Sequence, residues 1–237
     1  MLLRGILVCT FTLFGIAALA QSVISAHTGL IHFFEGNVAI DGQPVSPIHG
    51  RFPEIPEGSR LAASDGQAEI LLGPESFLWL GRNSALRMER NILTDTHIEF
   101  LKGSAMVQSL GLPADGSIVM IFHSSQIRLS ASGLYRIDAE PPQLTVLKGR
   151  AKVTDDHENF VVTEAKRLVF SSLQIFPAPK SEPDGLERWA LERRGAIATA
   201  NRDRVQAEAG LPAAKTGAHR RSRPFPTVMV PIPRRTW

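Results

Sequence analysis

The residues best placed to do chemistry are a serine in Gly73-Pro74-Glu75-Ser76-Phe77, an acidic run at Asp155-Asp156-His157-Glu158, and seven histidines at 27, 32, 49, 97, 123, 157 and 219. A serine nucleophile of the elbow type needs a closing glycine and a turn that leads from a strand into a helix. Ser76 lacks that glycine and connects two strand-like runs, so it is not expected to attack a substrate. A calcium loop must gather several oxygens on one folded segment, and the acidic run reads more simply as the polar tip of a hairpin. No two histidines stand at helix-face ligand spacing. His97 and His123 fall in or beside strand-like runs, where an imidazole on a sheet face is the expectation. The single cysteine, Cys9, lies in the apolar N-terminal stretch, which leaves a structural zinc site little to work with. Glycoside hydrolysis needs only two carboxylates at the right spatial separation, and no pair stands out. With one Tyr and three Trp, a stacked sugar- or base-binding platform has little material. Phe33, Phe34, Phe77 and Trp79 are expected in the core. The side-chain chemistry therefore assigns no catalytic, cofactor-binding or metal-ligating residue, and the expectation is a protein that is not an enzyme.

The elements that would carry these residues alternate with a period of two from Leu30 to Phe170. Runs such as Ala68–Leu72, Phe77–Leu80, Thr96–Phe100, Ser117–Ile121, Gln126–Leu129, Leu134–Ile137, Gln143–Leu147 and Asn159–Val162 are short. Asp65-Gly66, Gly73-Pro74, Gly81-Arg82-Asn83, Ala114-Asp115-Gly116, Ser132-Gly133 and Pro141-Pro142 separate them. Short alternating runs punctuated by turn residues predict a mainly β fold: a sandwich or roll, or a short irregular β-solenoid of stacked hairpins. One phrase recurs three times, as FFEGNVAID, FLKGSAMVQS and VLKGRAKVTD around Gly36, Gly103 and Gly149. Glycine accepts positive φ without a Cβ clash, so the expected role of Glu35-Gly36, Lys102-Gly103 and Lys148-Gly149 is the tight turn of a hairpin. The unequal intervals exclude a strict solenoid array.

The two ends differ from this body. Met1–Arg4 is positively charged, Gly5–Ala17 is almost wholly apolar, and Ala18-Leu19-Ala20 has the small-x-small pattern of a signal-peptidase site. Residues 1–20 therefore predict a cleaved signal peptide and a periplasmic or secreted chain starting at Gln21, without any cysteine. Residues 21–176 form the β domain, 177–183 a Pro-rich linker and 184–208 an amphipathic helix. That helix would be opened by Asp184 as cap, with Glu187 completing a capping box. Leu186, Trp189, Ala190, Ile197, Ala200 and Val205 mark its packing face, and Arg188, Glu192, Arg193 and Arg194 its solvent face. Residues 209–237 read as a disordered basic tail, with five prolines and six Lys+Arg from Pro212 onward. From Gln21 to Pro179 there are 13 Lys+Arg against 17 Asp+Glu, and from Lys180 to Trp237 there are 12 against 6. The basic balance belongs to the C-terminal quarter. It argues against specific nucleic-acid binding by the body, and suits weak electrostatic contact of the tail with anionic lipid or glycan.

The segments Leu61-Ala62-Ala63-Ser64-Asp65-Gly66-Gln67-Ala68-Glu69-Ile70-Leu71-Leu72 and Phe77-Leu78-Trp79-Leu80-Gly81-Arg82-Asn83-Ser84-Ala85-Leu86-Arg87 resemble the FecR-type domain of bacterial envelope proteins. Leu101-Lys102-Gly103-Ser104-Ala105 and Gly133-Leu134-Tyr135-Arg136-Ile137 fit the same pattern, which covers about Gly36 to Val162. The helix around Leu186–Arg193 resembles one that often follows the domain in exported members. The resemblance implies a β-rich, non-catalytic envelope domain without catalytic or ligand positions to carry over. Well-known members are single-span regulators that pass a signal to a sigma factor. Here only a few residues precede the apolar segment, so a cytoplasmic arm of that kind is not expected. The expected function is a binding or scaffolding module of the cell envelope, with an envelope protein or polysaccharide as partner. The alternative is a membrane-anchored periplasmic sensor.

Overall fold

A computed structural model describes residues 27–47, 51–110, 112, 116–155 and 158–209. The expected signal segment at 1–20 and the basic tail from residue 210 lie outside the described residues, as do His49, Asp156, His157 and His219. In chain order the strands are β1 (Leu30–Glu35), β2 (Val38–Ile40), β3 (Gln43–Pro44), β4 (Arg60–Ala63), β5 (Gln67–Gly73), β6 (Ser76–Leu80), β7 (Ser84–Ile92), β8 (Asp95–Lys102) and β9 (Ser104–Ser109). Then follow β10 (Ser117–Phe122), β11 (Ser125–Leu129), β12 (Gly133–Ala139), β13 (Pro142–Lys148), β14 (Arg150–Thr154), β15 (Asn159–Thr163), β16 (Lys166–Val169) and β17 (Gln174–Pro177). One helix among the described residues, α1 (Gly185–Ala209), follows them. The expected mainly β architecture with a C-terminal helix is what forms.

The strands make two sheets, one ordered β1-β5-β6-β9-β12-β13-β16-β17 and the other β15-β14-β11-β10-β8-β7-β4-β2-β3. The same sequence of neighbours runs through both. β1 pairs β5 where β2 pairs β4, β6 pairs β9 where β7 pairs β8, and β12 pairs β13 where β11 pairs β14. Long strands therefore bend across the molecule, each giving one half to each sheet, and the meander folds over onto itself. β10 is the exception: it inserts between β8 and β11 in one sheet only, which makes the parallel β8–β10 pairing.

This topology corrects the expected role of the repeated phrase. Gly36, Gly103 and Gly149 do not reverse the chain in hairpins, since β1 does not pair with β2, β8 with β9, or β13 with β14. Each glycine sits at the corner where one bent strand leaves one sheet for the other. Asp65-Gly66, Gly81-Arg82-Asn83 and Ser132-Gly133 stand at the facing corners of the partner strands. Two corners pressed together leave no room for a side chain. A Cβ on Gly103, at φ +83°, would lie 2.6 Å from Ser84 Cα, and one on Gly66 would lie 2.4 Å from Glu35 O. The charged residue before each glycine (Glu35, Lys102, Lys148) stays exposed on the outside of the bend. Gly73-Pro74 and Pro141-Pro142, by contrast, do connect hydrogen-bonded neighbours, β5 to β6 and β12 to β13.

Alternation divides each inner strand between two apolar layers. Leu78 and Leu80 of β6, Ala68, Ile70 and Leu72 of β5, and Ala105 and Val107 of β9 join Leu61, Leu86, Ile98, Phe100 and Phe122 between the sheets. Phe77 and Trp79 of β6 and Met106 of β9 point the other way, under Leu186, Trp189 and Ala190 of α1. β6 is thus buried on both faces, which explains its unbroken apolar run Phe77-Leu78-Trp79-Leu80. Burying a large side chain in this way contributes about 1.5–3 kcal/mol. Among the described residues no helix is long and apolar enough to cross a membrane.

Candidate functional site

The converging ionisable groups of this molecule lie between the first sheet and α1. Glu69 is the outward-facing residue between Ala68 and Ile70 on β5. On an uncovered sheet it would be solvated, but α1 lies over it and leaves it fully buried. Its Oε1 accepts hydrogen bonds from His32 Nδ1 at 2.5 Å and Arg193 Nη2 at 3.0 Å. Its Oε2 accepts from Trp79 Nε1 at 3.0 Å and Arg193 Nε at 2.9 Å. A carboxylate has about four acceptor positions, and all are engaged. The Arg193 guanidinium closes the other side, 3.9 Å from the centroid of the Phe33 ring, a geometry that stabilises a desolvated cation. His32 is wedged against Phe52 and Phe77, with centroids 4.9 and 6.0 Å away.

Burial by itself would push the Glu69 carboxyl up. The bonds from His32, Arg193 and Trp79 outweigh it and hold the group at about 2, against an ordinary 4.5. Glu69 is therefore ionised at neutral pH with every lone pair occupied. Beneath α1 the interior is therefore not purely apolar, because a charge pair crosses that layer.

A second cluster fixes the start of α1. Arg136 on β12 bonds Asp138 through Nε at 3.0 Å, Asp184 through Nη2 at 2.7 Å and Glu187 through Nη1 at 3.1 Å. Burial works against the Arg136 charge, but its bonds to Asp184 and Asp138 raise its basicity further. Asp184 caps the helix as expected, accepting from the Glu187 amide at 3.0 Å. The reciprocal arm of the capping box is not formed, because the Glu187 carboxylate turns to Arg136 instead. Partial burial raises the Asp184 carboxyl and Arg136 lowers it, with a net shift downward.

The residues singled out from sequence are placed apart. Ser76 is buried at the start of β6, donating to Leu110 O and accepting from the Leu110 amide at 3.0 Å. His97 pairs with Asp95 on its own strand at 2.8 Å. His123 stacks on Phe122 with centroids 4.2 Å apart, in the turn between β10 and β11. Asp155 accepts from Ser125 Oγ at 2.7 Å. Among the described residues no three His, Cys, Asp or Glu side chains gather as a metal site would require. Phe77 and Trp79 are buried, and they stack with centroids 5.9 Å apart. Sequence reasoning missed Glu69, His32 and Arg193. Arg193 had been set on the solvent face, yet it lies four residues after Trp189 and four before Ile197, on the packing stripe.

No protein-family model matches the chain, and no curated protein does. Two crystal structures of a candidate anti-sigma factor from Parabacteroides distasonis show weak similarity of fold, with TM-scores of 0.41 and 0.40 at 10% identity. Each match covers 49% of this chain and 57% of the other, so the likeness spans a little over half of those proteins. The resemblance to the FecR-type domain thus stands on the motifs quoted above.

Proposed function

We propose that this protein is an exported, non-enzymatic binding or scaffolding module of the bacterial envelope, in which α1 is a fixed part of the body. The observation that carries this reading is the Glu69–Arg193 pair. General acids, bases and nucleophiles need a free lone pair or proton aimed at a substrate. Here every acceptor position of the buried carboxylate is taken by His32, Trp79 and Arg193, so Glu69 has none left for a substrate. The FecR-like motifs and the small-x-small site at Ala18-Leu19-Ala20 support the envelope assignment.

The test is to express the full chain in a Gram-negative host and determine the N-terminus of the recovered protein by mass spectrometry. The same protein is then incubated with envelope extracts, peptides and glycans. Export, a mature N-terminus at Gln21 and stoichiometric binding are expected. A retained N-terminal segment would favour the membrane-anchored sensor instead. Hydrolysis or group transfer in the incubations would overturn the non-enzymatic reading.

A further inference from the structure

The second sheet ends on a strand that lacks half its pairing. β15 and β16 are the two halves of one bent strand, joined at Glu164-Ala165. β16 is paired on both sides, by β13 and β17. β15 has β14 on one side and, among the described residues, no strand on the other. β17 follows its partner as far as the corner, where the Ala178 amide donates to Ala165 O at 2.8 Å. Pro177, Pro179 and Pro183 then lead the chain away to α1 instead of along β15.

The edge left open is built to pair. Edge strands commonly carry charges or prolines that discourage pairing, but β15 reads Asn159-Phe160-Val161-Val162-Thr163 and has neither. Val162 is buried and Phe160 packs on the core, while Val161 is 57% exposed. The Asp155 amide donates to Glu158 O at 2.9 Å, and antiparallel bonds alternate along a ladder. Asn159, Val161 and Thr163 therefore turn their N–H and C=O groups to the open side. Exposed carboxylates flank that side, Glu158 before the strand and Glu164 after it. The nearby cations Arg150 and Lys152 stand one strand further in, opposite Thr163 and Val161, and Lys166 lies past the corner, paired with Pro177.

We propose that residues 225–229 of the C-terminal tail add to β15 as an antiparallel strand and complete the bent strand that β17 begins. In this register Phe225, Thr227 and Met229 face Thr163, Val161 and Asn159, and each has an N–H to donate. Pro224 and Pro226 take the alternate positions, where the missing N–H points away from β15, the placement that edge strands allow. Pro226 also holds Phe225 extended. Phe225 and Met229 lie diagonally across Val161, and Val228 lies beside Phe160. Arg223 comes beside Glu164, and Arg234 and Arg235 come past Glu158. Residues 210–224 reach up to about 50 Å, more than the roughly 40 Å across a body of this size. A second copy fits less well. Two β15 strands paired antiparallel about Val161 would set Glu158 opposite Glu164 twice, and like charges directly opposite destabilise a pair. The inference concerns how the chain closes its own sheet, and it holds whether or not the envelope reading does.

The experiment is hydrogen exchange followed by NMR on the full chain and on its Thr227→Pro variant, which removes the central donor without touching the body. The Val161 and Thr163 amides should exchange about tenfold or more slowly in the wild type than in the variant. Those of Phe160 and Val162, bonded to β14, should keep their rates in both. Arg223→Glu should cut the protection about threefold, and Glu164→Arg on that background should restore it.

Equal exchange of the Val161 and Thr163 amides in the wild type and Thr227→Pro would overturn the proposal. So would protection that rises with protein concentration, which would assign the edge to a second copy. Protection that appears only when envelope extract is added would assign the edge to a partner's strand and overturn it too. A charge swap that fails to restore protection would overturn the antiparallel register.

Discussion

At the scale of single residues, the burial of Glu69 and Arg193 sets the energetics. Removing one member of a buried ion pair leaves the other charge uncompensated and costs about 3–5 kcal/mol, whereas replacing both by apolar groups costs far less. Glu69→Met and Arg193→Met should therefore each lower unfolding free energy by that order in urea. The double variant should fall short of the sum by about 2–3 kcal/mol; additive losses would show that the two groups do not depend on each other. The same carboxylate sets a pH dependence. Its folded value of about 2 lies below the ordinary 4.5, so its contribution is complete above pH 4.5 and is lost as pH falls toward 2. The size is about 3 kcal/mol. Urea midpoints measured between pH 5 and 2 should fall more steeply for the wild type than for Glu69→Gln, and parallel curves would contradict the assignment. Neither residue was legible as a partner beforehand. Period-two alternation turns Glu69 outward from Ala68 and Ile70, and an outward charge reads as solvated until something covers it. The covering residue lies 124 positions along the chain.

The elements were legible where their pattern is local, and misread where it is not. Strands such as β8 and β11 follow directly from alternation, and α1 from its cap at Asp184 and its apolar spacing. The corners were misread because a bent strand keeps its alternation through the bend, so Lys-Gly at a corner carries the same local signature as Lys-Gly in a hairpin. Only pairing with strands distant in sequence tells the two apart. The corner geometry makes its own prediction. Gly103 and Gly42 share positive φ, +83° and +80°, but only Gly103 faces another backbone, with Ser84 Cα 2.6 Å from the position of a Cβ. Left-handed backbone costs a non-glycine residue about 1–2 kcal/mol, and a clash in a packed site adds about 1–3 kcal/mol. Gly42→Ala should therefore lower thermal stability by the first amount only, and Gly103→Ala by both. Equal losses in calorimetry would contradict the corner assignment.

For the molecule as a whole, the claim is that two sheets and a helix form one body, with the Glu69–Arg193 pair as the fastening between layers. Arg136 secures the helix start through Asp184 and Glu187, and Arg193 secures it two turns later. Native-state hydrogen exchange tests this most directly, because it separates local from global opening. The prediction is that the amides of Ala190 to Arg194 in α1 exchange with the same opening free energy as the central amides of β5 and β6. Helix amides that exchange several kcal/mol more easily, while the sheets stay protected, would show α1 to be a detachable appendage and would contradict the account.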